Sequence, residues 1–208
     1  VQLKPDLVLV GRGPALQRLQ ATGLRVLEVD ATTVDEVHRS LLKIDAALQQ
    51  QRAPALWQQL QQRLQQIAQE VQDARRGQAA PRVYLEVDAA MYAAAPQSFM
   101  GELLTLLGAR NIAPADAASF PRLSPEYVVR ADPDRIIQSH AATARELAQR
   151  PGWSQLRAVR SGQLCQLSAS ESRVVTRPGP RLDEAAAVLA RCLRQGTAPS
   201  APTPTSLP

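Results

Sequence analysis

The residues able to do chemistry in this 208-residue chain are few and far apart. Cys165, Cys192, His38 and His140 share no short spacing, so no zinc-type constellation exists. The two cysteines can form one disulfide if their Cα atoms come close, or remain buried thiols, and spacing does not choose between these. Gly11-Arg12-Gly13 follows an apolar run and Asp30 lies downstream, as in a dinucleotide-binding turn, but the third glycine is missing and Pro14 interrupts. No nucleophile elbow or phosphate-loop lysine occurs. His38 sits in a helical pattern without partners and His140 follows a strand, and both read as ordinary surface or satisfied residues rather than catalysts. No catalytic residue, metal ligand or cofactor is assigned. Aromatic residues make up only 3%, so any stacking surface must draw on Phe99, Phe120, Tyr84, Tyr92, Tyr127, Trp57 and Trp153.

A formal charge of +5 raises the question of nucleic acid. Arginine is spread thinly, only Arg75 and Arg76 are adjacent, and no basic segment is interleaved with aromatics. Nucleic-acid binding is therefore set aside, and the charge is read as a solvated face. No apolar run is long enough to span a bilayer as a helix.

The elements that must position these residues alternate. Residues 6–10 form a continuous apolar run typical of a buried parallel strand, 15–21 have helical spacing ending before Gly23, and 24–29 form a second strand. Thr32 or Thr33 can cap the next helix. After Pro54 a helix runs to about Arg76, with Trp57, Leu60, Leu64, Ile67 and Val71 apolar and Gln between them. The stripe covers about two heptads, too few to argue a coiled coil, which leaves a Gln-rich interaction helix as the alternative from another functional class. A second unit follows, with strands at 83–87, 135–139 and 163–167 and a loop at 88–96. Helices are expected at 99–107, from the Ser124 cap to 129, at 141–150 and at 182–194. Residues 196–208, rich in Pro, Ala, Ser and Thr, read as a disordered tail.

On this frame a set of short motifs resembles one family. Leu3-Lys4-Pro5-Asp6-Leu7-Val8-Leu9-Val10 is similar to a strand of the N-terminal lobe in periplasmic substrate-binding proteins of ABC importers, the helical-backbone group for cobalamin, haem and ferric siderophores. Further matches follow in family order: Val29-Asp30-Ala31-Thr32-Thr33, Ser98-Phe99-Met100-Gly101-Glu102-Leu103-Leu104, Gly108-Ala109-Arg110-Asn111-Ile112-Ala113 and Phe120-Pro121-Arg122-Leu123-Ser124-Pro125-Glu126. Ala131-Asp132-Pro133-Asp134-Arg135-Ile136-Ile137, Pro151-Gly152-Trp153, Ala158-Val159-Arg160-Ser161-Gly162 and Arg177-Pro178-Gly179-Pro180-Arg181-Leu182 complete the series. Vitamin B12 receptors are the most similar subgroup, through the Val-Asp-Ala-Thr run, the Phe120 to Glu126 stretch and Cys192. In some of them the position of Cys192 is disulfide-bonded; here the region around Leu107 has no cysteine, so a bridge would have to use Cys165.

The resemblance implies an α/β protein of two Rossmann-like lobes joined by a long backbone helix, its N-terminal lobe incomplete. The implied division is a partial N-terminal lobe at 1–50, helix and linker at 51–80, a C-terminal lobe at 81–195 and the tail at 196–208. It implies a monomeric receptor with no enzymatic activity, located in the periplasm, carrying a cobalamin-type chelate to an ABC permease, with haem or a ferric siderophore as the alternative ligand. Tyr92 and Phe120 fall at positions that face the cleft in the family, the competing roles being a surface aromatic for Tyr92 and a loop-anchoring core ring for Phe120. Arg177 opens the Arg-Pro-Gly-Pro-Arg turn, where its guanidinium can bind ligand amides, phosphate or carboxylate. For Arg177 the competing role is an ion pair with Asp183 or Glu184. Glu126 matches the carboxylate that meets arginines on the permease. Trp57 and Trp153 are assigned to packing.

Overall fold

The computed structural model describes residues 4–194. β1 (Val8–Val10) and β2 (Val26–Glu28) pair in parallel, with α1 (Pro14–Gln20) as the crossover. Pro14 opens α1, where a missing N–H breaks no helical bond. α2 (Val34–Leu48) starts from Thr33, which closes a capping box with Glu36.

The periodic apolar stripe produces α3 (Ala53–Ala74), a 22-residue helix burying Trp57, Leu60, Leu64 and Val71, together with Ala53 and Ala68. The stripe packs on α9 (Leu182–Arg194) and α2. Alanines 185, 186 and 190 on α9 are buried and let the helices approach closely. The seam is thus used inside the chain, leaving no stripe for a partner helix.

β3 (Arg82–Glu86), β4 (Arg110–Asn111), β5 (Arg135–Gln138) and β6 (Leu164–Gln166) form the main sheet, all parallel, in the order β4-β3-β5-β6. β3 and β5 are buried almost throughout, as continuous apolar runs in parallel sheets are. Leu85, Ile137 and Cys165 face α3, α9 and α4 (Phe99–Leu106); Tyr84 and Ile136 face Trp153, Leu147 and Leu156. The result is an α/β fold with one main parallel sheet and a small second one.

Some elements depart from expectation. α5 (Pro125–Ala131) runs two residues further than read, from its Ser124 cap. α6 (Ala144–Ala148) starts at 144 rather than 141 because Thr143 and Glu146 close a capping box there. β4 and α7 (Arg157–Arg160) are too short to show a period, while α8 (Ala169–Val175), also absent from the expectation, starts from a capping box between Ser168 and Glu171. Cys165 and Cys192 are bonded, joining β6 to α9, which decides between the disulfide and the free thiols. The tail expected at 196–208 lies outside the described residues. Among those described, no helix is long and apolar enough to cross a membrane.

Candidate ligand-binding site

The chain leaves β3 toward β4 on one side and β5 toward β6 on the other. The crevice outside the carboxyl ends of β3 and β5 is therefore a topological switch point, the place where open parallel sheets take ligands. After β3 the chain makes a tight excursion. Asp88 Oδ1 accepts from the Ala90 amide at 2.9 Å, Met91 stands at φ +66°, and the Val87 amide donates to the Tyr92 carbonyl at 2.7 Å.

The loop expected at 88–96 is in fact one side of a short antiparallel ribbon. The amides of Ala93, Ala95 and Leu123 donate to the carbonyls of Pro121, Ser119 and Met91 at 2.8, 3.0 and 3.1 Å. Tyr92 and Arg122 face each other between these bonded pairs, the closer kind of antiparallel pair. Alternation places Phe120 and Ala94 on the same face. That face runs from the core, where Ala94 is buried and Phe120 packs beside it, to the surface, where Tyr92 is 41% exposed. Arg122 is exposed and fixed by its Nε donating to the Ala90 carbonyl at 3.0 Å. Two of the three ligand positions expected from sequence, Tyr92 and Phe120, thus share one surface, with Arg122 added between them.

Beneath the ribbon lies a buried ionic cluster. The Glu86 carboxylate, with no solvent exposure, accepts two bonds from Arg150 at 2.6 and 2.7 Å and faces His140 Nε2 at 2.5 Å. The Arg150 guanidinium sits 4.4 Å from the centre of the Trp153 ring, and Tyr84 meets that ring edge-on. Burial, with Glu86 beside it, pushes the Tyr84 phenol pKa up. His140, which follows β5, is thus satisfied by Glu86.

Arg177 follows α8 and is exposed. Its competing role is not realised: Asp183 pairs with Arg63 at 3.5 Å and Glu184 with Arg181 at 3.9 Å. The turn it opens seats Pro178, Gly179 and Pro180 over Val29, Asp30 and Ala31 after β2, enclosing a cavity of about 180 Å³. Arg177 therefore borders the small sheet, on a different element from the Tyr92 ribbon. Glu126 is exposed in the first turn of α5, and hydrogen bonding to its own amide and to Ser124 holds its carboxyl below the usual range. A groove of about 450 Å³ runs along α3 past Gln59, Arg63 and Gln66 to Asp183 and touches none of these residues.

A family model described as "Periplasmic binding protein" matches residues 1–170. The chain belongs to that family. An uncharacterized ABC transporter substrate-binding lipoprotein of Bacillus subtilis is 30% identical over 207 residues, covering 95% of this chain and 64% of its own length. A cobalamin-binding protein of Halobacterium salinarum is 33% identical over 150 residues, 68% of this chain and 40% of its own. The crystal structure of a periplasmic haem-binding protein from Pseudomonas aeruginosa superposes with a TM-score of 0.76 at 28% identity, over 92% of this chain and 73% of that one. The chain thus spans between 40% and 64% of the length of these two curated relatives.

In this periplasmic binding protein, the sequence alone assigns no site role to Arg122, Glu86, Arg150 or His140. Arg122 had one available signal, its adjacency to Phe120-Pro121. Glu86 had another, as the charge ending an apolar strand, but nothing in the sequence pairs it with Arg150, 64 residues away.

Proposed function

We propose that this chain is part of a periplasmic receptor that binds a cobalamin-type metal chelate in the cleft between the two sheets and delivers it to an ABC permease. The observation that carries this reading is the Tyr92–Arg122–Phe120 face at the switch point of the main sheet. Aromatic faces bury the apolar side of a flat macrocycle, and a guanidinium fixes its polar rim. Arg177 supplies a second cation from the turn beside the small sheet. Glu126 meets arginines on the permease, and the receptor is a monomer with no catalytic step. Residues 1–50 and 81–195 act as the two lobes, with 51–80 between them. The Cys165–Cys192 bond supports an oxidising compartment such as the periplasm.

A second ligand reading, haem or a ferric siderophore, draws on the exposed Tyr92 phenol beside Arg122, since a phenol oxygen can ligate ferric iron. Titration of the protein with cyanocobalamin, haemin and a ferric siderophore, followed by absorbance and calorimetry, separates the two. Saturable binding of cobalamin at micromolar concentration is expected. Binding of haemin or the siderophore alone would transfer the assignment to the second ligand, and binding of none would remove the receptor reading.

A further inference from the structure

Helices α2 and α4 cap one another. The first amides of a helix have no acceptor inside it. The Val34 amide, at the start of α2, donates to Glu102 Oε2 of α4 at 2.7 Å. The Phe99 amide, at the start of α4, donates to the Thr32 carbonyl just before α2, also at 2.7 Å. Each helix entry supplies the acceptor that the other lacks.

Both sides of this exchange are held. Glu36 accepts from the Thr32 amide and hydroxyl at 2.7 Å each, fixing the corner that leads into α2. On the α4 side, buried Ser98 accepts from the Gly101 amide at 3.1 Å. Gly101 lies so close to the Ala95 carbonyl oxygen that a Cβ would stand 1.9 Å from it. Thr32 follows β2, and Ala95 belongs to the ribbon that follows β3. The two bonds therefore tie the small sheet to the main sheet at the carboxyl ends of both.

We infer that Glu102 is a positioning residue that sets the angle between the two sheets, and with it the width of the cleft, without touching ligand. The statement about the cleft rests on the receptor reading above; the tie between the sheets does not. Glu102 is half-buried, and burial pushes its carboxyl pKa up, as do Asp35 and Glu36, against the single pull of the Val34 amide. An acid kept in that setting is explained by the bond it makes. Glutamine at this position keeps the acceptor; methionine fills the same space without one.

The experiment uses the whole chain with its native disulfide and two reporter cysteines at exposed positions, Gln20→Cys on α1 and Arg145→Cys on α6. Nitroxide labels then give the distance distribution between the two sheets by pulsed electron resonance. Hydrogen exchange is followed in the same proteins. Glu102→Met should at least double the width of the distribution and speed exchange of the Val34 amide tenfold or more. Amides of β3 and β5 should keep their protection, and Glu102→Gln should stay close to the parent in both readouts. An unchanged width in Glu102→Met overturns the inference. So does equal acceleration across β3 and β5, which would make Glu102 an ordinary contributor to stability. If the parent binds none of the three ligands, the receptor reading falls while the distance and exchange results still decide the tie.

Discussion

Tyr92 and Arg122 stand side by side because backbone pairing puts them there, one residue on each strand of the ribbon. Each can therefore be removed without moving the other. Tyr92→Ala and Arg122→Ala should each weaken ligand binding about tenfold, near 1.4 kcal/mol, with melting temperature unchanged. Phe120→Ala should lower affinity and stability together, since that ring also packs on the core. Calorimetric titration beside thermal melts checks all three. Glu126→Ala should leave affinity within about twofold while slowing uptake, because a rim carboxylate acts on encounter with the partner. A tenfold loss of affinity with normal uptake at saturating ligand would place Glu126 in the pocket instead. Glu86 predicts the largest stability effect. Glu86→Gln leaves the Arg150 guanidinium enclosed without its counter-charge and should cost about 3–5 kcal/mol in urea unfolding.

At the scale of elements, three helix entries depend on carboxylates. Glu36, Glu146 and Glu171 close boxes with Thr33, Thr143 and Ser168, and the backbone amides of Thr32, Thr143 and Ser168 are the main cause holding their pKa values down. A carboxylate depressed by folding stabilises the fold at pH above the ordinary value of about 4.3. That contribution disappears as pH falls through the depressed value. Glu102, raised mainly by burial, works in the opposite sense: its contribution is greatest below the ordinary value and fades as pH rises through the raised one. Urea midpoints measured from pH 6 down to 3 should therefore fall, and the triple variant with glutamine at 36, 146 and 171 should show a flatter fall. Reducing the Cys165–Cys192 bond, which spans 27 residues, should cost about 3–4 kcal/mol by the chain-entropy estimate. Urea unfolding with and without reductant measures it. Sequence periodicity marked the long pieces well: the stripe on α3, the apolar runs of β3 and β5, and the Thr33 and Ser124 caps all act locally. The ribbon stayed hidden, because its pairing joins residues 91–95 to 119–123 through backbone bonds that side-chain type does not encode. Glu86, Arg150 and His140 stayed hidden for a similar reason, as three separate segments meet only once the sheet has formed.

Across the whole molecule, α3 decides how much can move. Bending a helix breaks backbone hydrogen bonds, so a connection of 22 helical residues packed on α9 resists rotation far better than extended strands would. Ligand binding should shift the mean distance between the two sheets by only a few ångströms (about one or two helix rises, each 1.5 Å), a value the same nitroxide pair reads directly. A shift of a full helical turn would show that the hinge lies elsewhere. Burial is uneven along the chain: β1, β2 and α1 contain no fully buried residue and α2 only Val37, whereas the main sheet is enclosed on both faces. Regions with few buried contacts open at lower free energy. The two tryptophans sit on opposite sides of that contrast, Trp57 stacked on His38 where α2 meets α3, and Trp153 sealed beneath Arg150. Each half of the molecule thus carries its own fluorophore. With Trp→Phe replacements leaving one indole at a time, the Trp57 emission should shift to the red at lower denaturant than that of Trp153, and the gap between the two midpoints would measure how loosely the small sheet is coupled to the rest.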